Sequence, residues 1–80
     1  MEPWQILWTD EIEAHIEEHG ISPADFEWAY DHAVRVGKSR SSGLPCKWGY
    51  TEDDRYVIII FEELDDGTIL PVTAYEVPEP

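Results

Sequence analysis

One run of residues constrains the fold more than any other: Tyr56-Val57-Ile58-Ile59-Ile60-Phe61, flanked by Arg55 and Glu62. Consecutive β-branched and aromatic residues favour an extended strand, and the lack of polar alternation means that both faces need cover. The expectation is a strand at the centre of a sheet. A chain of 80 residues must commit most of its other elements to covering it, because a domain this small buries only roughly 60% of its extended surface. Residues 1–80 therefore read as a single compact domain with one core. Hydrophobic residues make up 42% of the chain and include ten aromatics, enough to fold despite a formal net charge of −13.

The segments around this run supply that cover. Trp4, Ile6 and Trp8 alternate with Gln5 and Leu7 as a short amino-terminal strand or extended lead-in, and Pro3 limits its start. Thr9 or Asp10 can cap a first helix, on which Ile12 and Ile16 recur at i, i+4, and Gly20 stops it. Ser22-Pro23 reads as the N-cap and first residue of a second helix. Asp25 favours the positive helix end, and Ile21 stands where it can staple onto Phe26. This helix is expected to reach about Val34, with Phe26, Ala29, Tyr30 and Ala33 inward.

The polar stretch from Gly37 to Gly43 reads as a flexible loop. Lys47 to Thr51 is a strand, Glu52-Asp53-Asp54 is a turn into the central run, and Asp65-Asp66-Gly67 turns into a last strand from Thr68 to Tyr75. Pro71 lacks an N–H, so that last strand should be bulged or lie at an edge. The expected class is α+β: a short amino-terminal strand, two helices, then a three-stranded antiparallel meander with the helices packed on one face. There is no internal repeat or linker.

Charge gives the first functional lead. All five Lys and Arg residues fall between Arg35 and Arg55, and no acid stands between His32 and Thr51. Arg35, Lys38, Arg40 and Lys47, with four Ser/Thr hydroxyls, form a segment suited to a phosphate or carboxylate. The 18 acids elsewhere oppose a long polyanion, so strong general nucleic-acid binding is disfavoured. The lone Cys46 fits a reducing compartment, Met1-Glu2-Pro3-Trp4 lacks the form of a signal peptide, and no apolar stretch has the length of a membrane span. A cytoplasmic protein without membrane contact is expected.

Three further groups invite chemistry. Metal-independent RNA cleavage needs a proton donor and acceptor and a cation at the phosphorane, roles open to His19, His32 and Arg55. His15 and His19 share one helix face at i, i+4, but Ile16 follows His15 where a zinc-protease signature has Glu, and no third ligand is identified. Cys46 and Ser39, Ser41 and Ser42 have no adjacent base to activate them. No cofactor or metal is expected. Most of the four Trp residues should be core, although one beside the basic loop could stack on a base or anchor a partner.

Several of these residues together resemble a family. Glu18-His19-Gly20-Ile21-Ser22 at the helix junction, Lys47-Trp48-Gly49-Tyr50-Thr51-Glu52-Asp53-Asp54-Arg55 before the hydrophobic run, and the closing Val72-Thr73-Ala74-Tyr75 are similar to the BrnT-like toxins of bacterial type II toxin–antitoxin pairs. That family's motifs read "His-Gly-Val-Ser", "Gly-x-Thr-x-x-Gly-Arg" and "Ile-Ser-Ala-Arg". The resemblance runs over nearly the whole chain and implies a fold of the RelE ribonuclease kind and an antitoxin-like partner. Two departures stand out. Asp54 occupies the turn position where the family favours glycine, and Glu76-Val77-Pro78-Glu79-Pro80 follows the last strand where the family has an arginine-rich helix. The expectation is a divergent, acidic member of this scaffold without its full catalytic machinery. The alternative is a noncatalytic interaction module on the same scaffold, binding a basic protein through its acids.

Overall fold

In the computed structural model, which describes residues 5–80, the chain runs extended through Gln5–Ile6 (β1) and then forms two helices, Asp10–Glu17 (α1) and Pro23–Asp31 (α2). The expected strand residue Trp4 lies outside the described residues. Both helices begin at hydroxyl caps. Thr9 Oγ1 accepts the Ile12 N–H at 3.2 Å, and Ser22 and Asp25 bond each other's backbone N–H reciprocally at 3.1 Å. Between the helices Gly20 takes a left-handed φ of 78°, which lets the Ile21 N–H return to the Ile16 carbonyl at 3.0 Å. That closure delivers Ile16 and Ile21 into the core, where Phe26 joins them.

Four more strands follow: Arg35–Lys38 (β2), Pro45–Tyr50 (β3), Tyr56–Glu63 (β4) and Thr68–Glu76 (β5). They form one five-stranded mixed sheet in the order β1-β5-β4-β3-β2, with β1 parallel to β5 and every other pair antiparallel. The expected meander is its middle, β3-β4-β5, and the hydrophobic run is the central strand. Pro71 sits opposite Phe61, beside a register shift between Ile60 and Phe61, as its missing N–H requires.

The larger sheet corrects two expectations. The second helix ends at Asp31 rather than near Val34, and Arg35–Lys38 is a strand rather than part of a helix end and loop. The Trp28 carbonyl takes both the His32 N–H at 2.9 Å and His32 Nδ1 at 3.0 Å, which ends α2. The Val34 N–H then turns to the Trp48 carbonyl at 2.8 Å and starts pairing with β3. The loop shrinks to the tip of this hairpin, where Gly43 has a φ of 73°. Among the described residues no helix is long and apolar enough to cross a membrane.

The sheet has two unlike faces. Val57, Ile59, Phe61, Ile69 and Ala74 pack with Ile16, Ile21, Phe26, Ala29 and Tyr30 of the helical layer, while Cys46, Ile58 and Ile60 form a smaller cluster on the far face with Leu44, Trp48 and Val77. The helical layer comes close to the sheet at Gly49, where an added Cβ would lie 3.0 Å from the Ala29 carbonyl oxygen and 3.3 Å from Ala33 Cα. Gly49→Ala is expected to lower stability by about 1–3 kcal/mol, because backbone rather than a mobile side chain must yield. The check is a lower urea midpoint at unchanged slope.

Candidate anion-binding site

Alternate residues of a strand point to opposite faces, so strand register decides which of the candidate groups meet. Arg35 pairs with Trp48, Trp48 with Ile58, and Ile58 with Tyr75, which aligns these four across β2, β3, β4 and β5 on the far face. The hairpin tip brings Lys38, Ser39, Arg40 and Ser41 to the end of this row. Together they line a half-enclosed depression of about 470 Å³.

The Arg35 guanidinium lies over the Trp48 ring, 4.6 Å from its centroid. Trp48 can lean over β2 because Gly37 has no side chain, since a Cβ there would stand 3.1 Å from the ring. A guanidinium held over an aromatic ring in this way still has N–H donors to offer a planar or tetrahedral anion. Ser39 and Ser41, which line the same depression, place their hydroxyls 3.3 Å apart. Arg35, Lys38 and Arg40 are exposed, and among the described residues none of them forms a salt bridge.

Lys47 lies elsewhere. It has the opposite parity on β3, and its Nζ sits 3.7 Å from the Tyr30 ring centroid on the helical side. Burial lowers its affinity for a proton, opposed by Glu63 and Asp31.

The three proposed proton-transfer and phosphate groups each take other partners. His32 caps α2 and stacks on Trp28 with centroids 4.3 Å apart. His19 follows α1, with its ring 5.4 Å from that of His15 and 6.1 Å from that of Tyr75. His15 Nε2 in turn meets Thr73 Oγ1 at 2.9 Å.

Arg55 ties the turn before β4 to the helix junction. Its Nη1 donates to the Gly20 carbonyl at 2.6 Å, Nη2 to Asp25 Oδ2 at 2.9 Å and Nε to Asp53 Oδ2 at 3.0 Å. Asp53 also accepts the Thr51 hydroxyl, and this bond and then Arg55 hold its carboxyl below the usual carboxylate range. The stabilisation it contributes is present at neutral pH and is lost as acid protonates it. Asp54 sits in this turn with a φ of 66°, a left-handed position that Asp tolerates and glycine takes without strain.

Cys46 is buried beneath Leu44 and Trp48, and burial raises its thiol pKa, so little thiolate is present at neutral pH. Among the described residues no three of His, Cys, Asp or Glu are grouped to hold a metal. Sequence reasoning named Arg35, Lys38 and Arg40 but missed Tyr75, and it did not single out Trp48. Strand alternation alone puts both on the far face once β3 and β5 are in register. No family model, curated protein or solved structure matches the chain.

Proposed function

We propose that this chain is a noncatalytic binding module on a scaffold like that of the BrnT-like toxins, and that it takes an anionic group of its partner between Arg35, Lys38 and Arg40. The carrying observation is the split of the basic segment. Three cations line one depression with an aromatic floor and two serine hydroxyls, while Lys47 and Arg55 are drawn into the fold. His32 and Arg55 are held by hydrogen bonds in different parts of the fold, an arrangement that favours binding over concerted proton transfer.

Titration with inorganic phosphate, followed by NMR, tests the reading. The side-chain signals of Arg35 and Arg40 and the indole of Trp48 are expected to shift together. Arg35→Gln combined with Arg40→Gln should weaken binding by about tenfold or more, since charge-assisted hydrogen bonds are worth about 1.5–3 kcal/mol. RNA cleavage by the purified protein, abolished in a folded His32→Gln variant, would overturn the noncatalytic reading in favour of a ribonuclease.

A further inference from the structure

We infer that β2 is a docking edge for an extended acidic peptide, which adds to the sheet as one more strand beside Arg35–Lys38. β2 ends the sheet order, and all four of its residues are exposed. The Ser39 N–H donates to the Leu44 carbonyl at 2.8 Å, in register with the pairing of Gly37 with Cys46 and Arg35 with Trp48. In an antiparallel ladder the residues facing the neighbour alternate with those facing away. Arg35, Gly37 and Ser39 therefore bond toward β3, and the backbone N–H and C=O groups of Val36 and Lys38 point outward. Val34 and Val36 expose 64% and 68% of their surface along the same edge.

Charge selects the occupant. Lys and Arg on an edge strand oppose pairing with a like copy, because Arg35 and Lys38 of two chains would enter one ladder. The same cations attract an acidic strand, and no carboxylate from His32 to Thr51 opposes it. The other end of the sheet is unsuited: among the described residues β1 has two, and α1, which follows it, carries Asp10, Glu11, Glu13 and Glu17. Backbone bonds to Val36 and Lys38 would supply the pairing, and every second acidic side chain would lie over the far face beside Arg35. The inference rests on the anion-site reading and names its partner class.

The probe is a capped synthetic peptide of alternating Glu and Thr, titrated into the intact chain. Saturation is expected to slow amide exchange at Val36 and Lys38 by about tenfold or more, as new backbone hydrogen bonds require. Val36→Pro removes one outward N–H and no bond to β3, and should weaken the peptide by about tenfold while inorganic phosphate still binds. The same peptide N-methylated along its backbone should lose binding to the unaltered chain, a readout independent of how any variant folds.

Equal binding of parent and N-methylated peptides overturns strand addition. So does protection of Val36 and Lys38 that rises with protein concentration alone, which would mark a second copy as the occupant. A peptide that fails to bind while phosphate still shifts Arg35 and Arg40 overturns the docking edge and leaves the anion site standing. Failure of phosphate as well overturns both.

Discussion

Val57→Asp should leave no cooperative unfolding transition at neutral pH. Val57 is fully buried on the helical side of β4, and its ladder neighbours are Gly49 and Glu76, neither of which offers a cation. Arg55 is near in sequence but committed to Gly20, Asp25 and Asp53. An unpaired charge in such a place costs several kcal/mol. A domain of 80 residues has about 4–12 kcal/mol in all. The measurement is urea unfolding followed by circular dichroism. Val57→Ala, which only deletes methyl groups, should keep a cooperative transition at a lower midpoint; a cooperative Val57→Asp would refute the placement of β4 as the buried centre.

Arg55→Met is expected to cost about 2–4 kcal/mol, from the loss of several charge-assisted hydrogen bonds discounted for partial solvent exposure. The side chain is 30% exposed, whereas that of Asp25 is 19% exposed and would lose its cation. The Gly20 carbonyl would lose its donor at the junction where Ile21 enters the core. Methionine keeps most of the stem, so the loss reports the guanidinium rather than a cavity. Urea denaturation gives the size, and phosphate titration of the folded variant gives the contrast. Binding between Arg35 and Arg40 should survive within about twofold, because removal of a distant, independent group leaves a site's energetics largely intact. Unchanged stability with lost phosphate binding would reverse the assignment and return Arg55 to the site.

The elements legible in the sequence are those whose signals are local. Thr9, Ser22, Gly20 and the Asp65-Asp66-Gly67 turn act within a few residues of themselves, and each marks a boundary seen in the fold. The strand β2 had no such mark. Its four residues are all exposed, so no burial pattern distinguishes them from a loop, and it is a strand because β3 pairs with it.

The site divides in the same way. The basic segment was visible as composition, but its division was not. Lys47 and Trp48 are neighbours in sequence, yet strand parity sends one over Tyr30 and the other under Arg35. Of the partners of Arg55 only Asp53 is near it in sequence; Gly20 and Asp25, which tie it to the helix junction, lie far away along the chain.

The parallel pairing of β1 with β5 has a consequence for how the protein comes to be folded. The hairpins β2-β3, β3-β4 and β4-β5 each close over short loops, so they can form as soon as their own residues emerge from the ribosome. β1 must wait, because its partners Thr68 and Ile69 belong to β5, the strand furthest from it along the described chain. Ile6 and Trp8, which pack against the core from that end, are held back with it. Closure of the sheet along β1 is thus the strand pairing that spans the greatest length of the described chain, and contact order sets it behind the three hairpins.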